Sequence, residues 1–293
     1  MTNRTKGIIC ILISSLGFSV MNLFIPLAGD INTIEKSFFR NLVALFVSLV
    51  ILYRQKDTVK ASLREKSLPW KVLMWRAVLG TLGVYANYYS LDQLVISDAT
   101  VLSKLAPFAT LILSAIFLKE KMSKEHVFAL IVAFIGVIFV SKPSGEMASF
   151  FPYFIAILGG VFAGAAYTCV RYLNRLQVHG AIIVAFFSFF SCVVSIPYLL
   201  FHFDPLTFKS LAYLMGAGVA ATFGQFGITW AYKYAPASEI SIFDYSALIF
   251  SGVLGYLFLN QIPDKWSIMG YFIIFAGALL TFLYNRDRAR KLS

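Results

Sequence analysis

The sequence predicts an all-α membrane protein whose ten transmembrane helices form two inverted five-helix repeats. Three observations predict this fold class: the composition, a series of long apolar runs and an internal repeat. Of the 293 residues, 59% are hydrophobic and 13% are charged, and the mean hydropathy is +0.78. A soluble domain carries about 25% charged residues, and a soluble globule this apolar would aggregate. The composition therefore excludes a soluble enzyme, a disordered chain and a nucleic-acid-binding domain.

The apolar runs supply the predicted helices. A helix needs about 20 mostly apolar residues to cross a bilayer, and continuous runs favour helices over transmembrane strands, whose apolar residues alternate. We expect ten spans, near Gly7–Pro26, Ser37–Tyr53, Val72–Leu91, Ala99–Leu118, His126–Val140, Phe151–Arg171, Gly180–Phe201, Leu211–Tyr232, Glu239–Leu259 and Trp266–Tyr284.

The basic residues predict the orientation of these spans. The net charge is +11, and one set of alternate loops, with the two chain ends, carries 18 Lys and Arg residues against 4 in the other set. Basic residues collect in cytoplasmic loops. We therefore expect a multi-pass protein of the cytoplasmic membrane with both termini in the cytoplasm. This bias explains the net charge without a nucleic-acid partner.

An internal repeat predicts the domain organisation. Residues 88–118 resemble residues 229–259 at a constant offset of 141 positions. The offset divides the chain into a first five-helix repeat, 1–142, and a second, 150–288. Because five is odd, the second repeat enters the membrane from the opposite side. Inverted repeats recur in secondary transporters, which bind their cargo near the membrane midplane, although a duplication without transport would leave the same pattern.

The block 88–140 carries a family resemblance. It contains a tyrosine-rich end of the third run, a short serine-containing turn, Pro107 in the fourth run, a Leu-x-Glu-Lys stop at 118–121, and Gly136 in the fifth run. In these features the chain resembles the EamA-type carriers of the drug/metabolite transporter superfamily. The second half departs from the pattern, with Leu248 in place of the proline and Gln261 in place of the glutamate.

That resemblance implies a ten-helix carrier that works by alternating access. It also implies a central cavity lined mainly by spans 1, 3, 4, 6, 8 and 9. The blocks 38–42 and 98–108 look nearest to a metabolite-importer branch that includes S-adenosylmethionine carriers.

Two charged residues inside apolar runs are the main candidates for a functional site. A charge in the hydrocarbon layer costs about 2.5–3.5 kcal/mol on insertion scales. Lys104 lies in the fourth run and Asp244 in the ninth. In untilted helices their levels would differ by roughly 13 Å, which is long for direct contact, although side-chain reach and helix bending shorten it. Three interpretations remain open: a structural or gating ion pair, binding of an anionic cargo group by Lys104 with Asp244 taking a cationic group or a proton, and snorkelling.

Other polar and aromatic residues on the implied cavity helices extend the candidate site. Small and polar residues recur at helical spacing on span 3 (Arg76, Gly80, Gly83 and Asn87) and on span 8 (Gly218, Thr222, Gln225 and Thr229). Such stripes either allow close packing or face a cavity. We expect the substrate-binding residues to be Lys104, Asp244, Tyr245, Asn87, Tyr85, Gln225, Asn22 and Tyr167. Asp244 and Glu239 are the proton-coupling candidates.

Three further features bear on mechanism and assembly. Arg40 and Arg76 lie near the ends of their runs, so we expect them to snorkel to lipid headgroups. Pro107 should kink the fourth span beside Lys104 and act as a hinge. The GxxxG motif at 160–164 fits internal packing as well as dimerisation, so a monomer and a homodimer both remain open.

These features favour a secondary transporter for a small organic metabolite, such as an amino acid, an amine or a nucleoside-like solute like S-adenosylmethionine. The expected partners are that solute and the lipid bilayer. We expect no cofactor, metal or catalytic residue, because the chain lacks a phosphate-binding loop and its three Cys and three His are scattered. The alternatives are a membrane-embedded enzyme, which would need clustered acids or a nucleophile with its base, and a passive channel, which would need rings of charge.

Overall fold

The computed structural model of the chain describes residues 3–56, 68–119, 124–141, 147–235 and 243–292. These residues form eleven helices and no strand. The helices are α1 (Asn3–Leu27), α2 (Thr33–Arg54), α3 (Trp70–Gln93), α4 (Ile96–Ser103), α5 (Ala106–Phe117), α6 (Lys124–Ser141), α7 (Met147–Arg175), α8 (Gly180–Leu199), α9 (Phe208–Tyr234), α10 (Ser246–Leu259) and α11 (Lys265–Leu292). The helical part of the predicted fold class is thereby confirmed.

Within the described residues, six segments are long and apolar enough to cross a membrane. They are Asn3–Leu27, Thr33–Arg54, Ile96–Phe117, Phe150–Arg175, Gly180–Leu199 and Phe208–Tyr234. The third of these combines α4 and α5. Helix α10 is apolar but shorter, with 14 residues.

The distribution of polarity reverses that of a soluble protein. On α1, Ser14 and Ser15 are fully buried, whereas Ile13 and Leu16 are 45% and 47% exposed. Large apolar side chains also cover the outside of the later helices, and Phe223 on α9 is 61% exposed. Small and polar residues at helix interfaces with apolar residues outside are what a helical bundle in lipid requires. The chain is a membrane protein with multiple apolar helices.

Glycines on α7 let this helix approach the broken span formed by α4 and α5. A Cβ atom added at Gly160 would lie 2.8 Å from the carbonyl oxygen of Leu102, and one at Gly164 would lie 2.5 Å from that of Ala106. The hydroxyl of Thr110 donates a hydrogen bond to the Gly164 carbonyl at 3.0 Å. The GxxxG motif therefore packs within the chain.

The span formed by α4 and α5 is interrupted next to Lys104. Helix α4 ends at Ser103, and α5 begins at Ala106 with Pro107 in its first turn, where a missing amide hydrogen costs no helical bond. The amide of Lys104 still donates to the carbonyls of Thr100 and Val101, at 3.2 and 3.0 Å. The helix is thus interrupted beside Lys104, and the kink and the hinge role of Pro107 stay predictions.

Polar contacts tie the helices together at both ends of the bundle. At one end, Lys36 forms a 2.6 Å ion pair with Asp92, and the amide of Asn32 donates to Asp204 at 2.7 Å. At the other end, the ring of His179 lies 3.0 Å from the side-chain oxygen of Gln55. We call these the Asn32 end and the Gln55 end.

The close approach of α7 predicts a position-specific effect of added volume. Gly164→Ala should lower the thermal unfolding temperature in detergent, because overpacking a tight interface costs about 1–3 kcal/mol. Gly252→Ala is the matched control, since no atom lies within 4 Å of the added carbon, and alanine is the better helix former. Equal effects of the two substitutions would contradict this account of the interface.

Candidate functional site

A central cavity lies between the helices. The space that its wall surrounds is about 910 Å³, including the part open to solvent. Its wall draws residues from α1, α2, α3, α4, α5, α7, α8, α9 and α10. The resemblance implied spans 1, 3, 4, 6, 8 and 9; the structure adds α2 through Arg40 and α8 through Phe187.

A buried ion pair lies in the cavity wall. The ammonium of Lys104 is 2.7 Å from Oδ2 of Asp244, and the two side chains are 9% and 10% exposed. The hydroxyl of Ser15 donates to the other carboxylate oxygen at 3.1 Å. The carboxylate is therefore held by both α1 and the break between α4 and α5.

Of the three open interpretations, the direct contact between Lys104 and Asp244 is the one that the structure shows. The difference in level of roughly 13 Å applied to straight, untilted helices with a rise of about 1.5 Å per residue. Instead, Lys104 sits in the break between α4 and α5, and Asp244 precedes the first residue of α10. Both side chains therefore leave the backbone where the helical path is interrupted. The hydroxyl of Tyr245 donates to the Lys104 carbonyl at 3.2 Å, so the two breaks also touch through the backbone.

A chain of uncharged polar side chains crosses the cavity wall. Asn87 donates to Asn22 at 3.3 Å, and Asn22 donates to Thr100 at the same distance. Thr100 donates to Ser251 at 3.1 Å, and Ser251 donates to Ser19 at 3.1 Å. These residues come from four helices, α3, α1, α4 and α10. Such a network supplies donors and acceptors to a polar solute in a low-dielectric environment.

Most of the predicted substrate-binding residues share this cavity wall: Asn22, Asn87, Lys104, Tyr167, Gln225 and Asp244. Tyr245 does not line the cavity, but its hydroxyl donates a hydrogen bond to the carbonyl of Lys104, which does. Tyr85 lies elsewhere, and its hydroxyl is 2.8 Å from that of Ser195 on α8. The position of Tyr85 along α3 does not by itself show which face of the helix its side chain occupies. The proton-coupling candidate Glu239 lies outside the described residues.

Two residues that sequence reasoning assigned to the lipid headgroups line the cavity instead. Arg40 and Arg76 are only 1% and 3% exposed. Their guanidinium carbons lie 5.5 and 4.2 Å from the centroid of the same ring, that of Phe187. The expectation of snorkelling was wrong because both side chains point into the bundle rather than along its surface. The sequence feature that indicates the buried position of Arg76 is Gly80, one turn later in the helix. Because Gly80 has no side chain, it leaves room for the Arg76 guanidinium and the Phe187 ring.

The site offers charges and hydrogen-bonding groups. Within the described segments, no cluster of three or more His, Cys, Asp or Glu residues could hold a metal ion. Cys10, Cys169 and Cys192 are free thiols.

The comparison with protein families decides the classification. The profile of the EamA-like transporter family matches residues 5–142 and 150–283. The chain belongs to the EamA-like transporter family. The proteins of this family and the named relatives are transporters rather than enzymes.

Relatives of this EamA-like chain match it over nearly its whole length. An uncharacterised transporter of Helicobacter pylori (strain ATCC 700392 / 26695) is 28% identical over 94% of this chain and 93% of its own. The pseudopaline exporter CntI of Pseudomonas aeruginosa (strain UCBPP-PA14) is 26% identical over 94% of this chain and 95% of its own. The S-adenosylmethionine uptake transporter of Rickettsia bellii (strain RML369-C) is 28% identical over 95% of this chain and 92% of its own.

A solved crystal structure supports the fold. It shares 15% sequence identity with the EamA-like chain and superposes with a TM-score of 0.69, covering 97% of this chain and 98% of the other.

The Lys104–Asp244 pair predicts a strongly non-additive pattern of stability. Lys104→Met or Asp244→Leu alone leaves one charge buried without its partner, which costs about 3–5 kcal/mol. The double variant removes both charges and should recover much of the lost stability. A double-mutant cycle of unfolding temperatures in detergent measures this coupling, with the exposed Lys209→Met as the control. Additive single effects would contradict a direct pair.

Proposed function

We propose that the chain is a secondary transporter that carries a small organic metabolite across the cytoplasmic membrane by alternating access. The observation that carries this proposal is the charged, polar cavity at the centre of a bundle whose outside is apolar. Ionisable residues inside a membrane-spanning bundle carry a free-energy cost, and they commonly mark a substrate or ion pathway. The names of the relatives, an exporter and an uptake transporter, support a small solute as cargo. Amino acids, amines and nucleoside-like solutes such as S-adenosylmethionine are the first candidates.

The proposed architecture is ten spans in two inverted repeats, 1–142 and 150–288. The packing pattern supports it. If α1 corresponds to α7 and α3 to α9, the extensive α1–α9 interface has the α3–α7 interface, which is also extensive, as its counterpart. The same correspondence pairs α2 with α8 and α6 with α11, so the α2–α8 and α6–α11 interfaces are each their own counterpart. It also pairs α5 with α10, so the α5–α7 contact is the counterpart of the α10–α1 contact.

One contact lies where a two-fold axis would pass. Position 104 corresponds to position 245 at the repeat offset of 141, and the Tyr245 hydroxyl donates to the Lys104 carbonyl. Equivalent positions touch each other only close to the axis that relates them. This contact supports a meeting point of the two repeats at the central ion pair, and inverted-repeat transporters bind their cargo at such a position.

The proposed mechanism uses the two helix breaks as the moving parts. A packed interface has discrete arrangements rather than a continuous range, and two similar repeats in opposite orientations give states that open to opposite sides. The Lys104–Asp244 pair joins the repeats, and a solute that engages either charge competes with this pair. Such competition would couple cargo binding to the change of state.

The proposed orientation places both termini in the cytoplasm, as the basic loops predict. The driving force would be a cargo gradient or coupled protons, with Asp244 and Glu239 as the proton-coupling candidates. A monomer and a homodimer both fit the proposal.

Counterflow in proteoliposomes tests the proposal. Vesicles preloaded with unlabelled solute should accelerate entry of the same labelled solute, because a carrier returns faster when loaded. Amino acids, nucleosides, amines and S-adenosylmethionine form the test set. Lys104→Ala and Asp244→Asn should each lower the rate at least about tenfold, the equivalent of about 1.4 kcal/mol, and Lys209→Ala should leave it unchanged.

Three results would count against parts of this proposal. Flux without acceleration by internal solute would indicate a passive channel. Unchanged transport in both charge variants would remove Lys104 and Asp244 from the site. Transport that moves no protons after a pH jump would exclude proton coupling and leave the carrier intact.

A further inference from the structure

The cavity wall carries two positive charges that nothing in the described part of the chain neutralises. The charged residues in the wall are Arg40, Arg76, Lys104 and Asp244. Asp244 is engaged by Lys104 at 2.7 Å. Neither arginine forms an ion pair with any carboxylate of the described residues. The wall therefore has an excess of two positive charges inside the bundle.

The partners that the arginines do have are uncharged. Arg40 donates from Nη1 to the side-chain oxygen of its neighbour Asn41 at 3.0 Å. Arg76 donates from Nη2 to the side-chain oxygen of Gln225 at 3.0 Å. Neutral amides orient a guanidinium and leave its charge in place. The side chains of Arg40 and Arg76 are thus held in position with their charges available.

Several donors of this cluster have no partner. The Nε atoms of both arginines are buried without a hydrogen bond among the described residues, and so is the hydroxyl of Tyr88, which lines the same wall. A buried polar group left without a partner costs about 1–3 kcal/mol, and more when it is charged. The cavity wall therefore has hydrogen-bonding groups that the described residues do not use.

Stacking on an aromatic ring does not offset this cost. Both guanidinium groups face Phe187, at 5.5 and 4.2 Å from its centroid. A cation–π contact contributes about 0.5–2 kcal/mol, whereas an unpaired buried charge costs several kcal/mol. Gly80 allows this arrangement, because a Cβ atom there would lie 2.9 Å from the Phe187 ring. The pair is built into the wall at a net cost, as expected of a binding site.

We propose that Arg40 and Arg76 bind an oxyanionic group, a carboxylate or a phosphate, of the transported solute. The planar guanidinium matches both groups through two parallel N–H donors. This inference rests on the proposed transport function and narrows its cargo: the solute is an organic anion or carries an anionic group, and simple amines are excluded. The Lys104–Asp244 pair and the Asn22–Asn87 amides then face the remainder of the solute.

The binding test uses the purified full-length protein in detergent and tryptophan fluorescence during heating. The probes are succinate, glutamate and glycerol 3-phosphate as anionic solutes, and choline and putrescine as cations. At least one anionic probe should raise the unfolding temperature, because a ligand that binds only the folded state stabilises it. Succinate and glycerol 3-phosphate separate a carboxylate preference from a phosphate preference.

Variants locate the effect. Arg40→Gln and Arg76→Gln should each weaken binding of the stabilising anion at least about tenfold, equivalent to about 1.4 kcal/mol. Arg40→Lys and Arg76→Lys keep the charge and lose the planar fork, so they should bind with intermediate affinity. Arg54→Gln is the matched control, since this arginine lies exposed at the end of the same helix as Arg40.

The stability of the ligand-free variants separates a binding role from a structural one. If the arginines serve a ligand, replacing one by glutamine removes an uncompensated charge and should raise the unfolding temperature of the ligand-free protein. A lower unfolding temperature in both glutamine variants would mean that the arginines hold the bundle together, and would overturn the proposal. Absence of any shift with the three anionic probes would overturn it as well.

Transport measurements keep this inference distinct from the proposed function. Counterflow of a neutral or cationic solute that is unaffected by Arg40→Gln and Arg76→Gln would disprove the anion site and leave the transporter in place. Failure of every solute to show counterflow would disprove the transport function itself.

Discussion

One buried ion pair holds together the two places where helices are interrupted inside this bundle. In lipid, unpaired backbone groups are tolerated only where protein or a cavity surrounds them. The Lys104–Asp244 contact lies where the helices are interrupted beside the cavity. The Tyr245 hydroxyl donates a hydrogen bond to the backbone carbonyl of Lys104 at this interruption. The two breaks and the cavity beside them therefore depend on one another.

The charged residues of the cavity wall do not stabilise the bundle in the way that the packing around the cavity does. Interfaces such as Gly164 against Ala106 are tight, and they fix the helices by shape. The wall instead keeps Arg40 and Arg76 buried beside neutral partners, Asn41 and Gln225. A protein selected for stability alone would have little reason to retain them. Structures that store such a cost are characteristic of functional sites.

The sequence predicts the helical membrane class correctly, because apolar length and charge bias are properties of the chain itself. The two-repeat organisation that the spacing of 141 positions indicates stays a prediction. The sequence also identifies Lys104 and Asp244, since charge inside an apolar run is visible without coordinates. It does not show that their side chains meet, because residue counting assumes continuous helices and cannot locate a break. It misplaces Arg40 and Arg76 for a related reason: depth in a run does not say which face of the helix a side chain occupies.

Spin-label distances at the two ends of the bundle test most directly whether the central pair couples the repeats. Labels at Asp30 and Asn260 report on the Asn32 end, and labels at Lys119 and Lys233 report on the Gln55 end; all four positions are exposed. If the Lys104–Asp244 pair sets the balance between states, Asp244→Asn should shift the two distance distributions in opposite directions, one end opening as the other closes. Unchanged distributions, or a shift of both ends in the same direction, would contradict alternating access controlled by this pair.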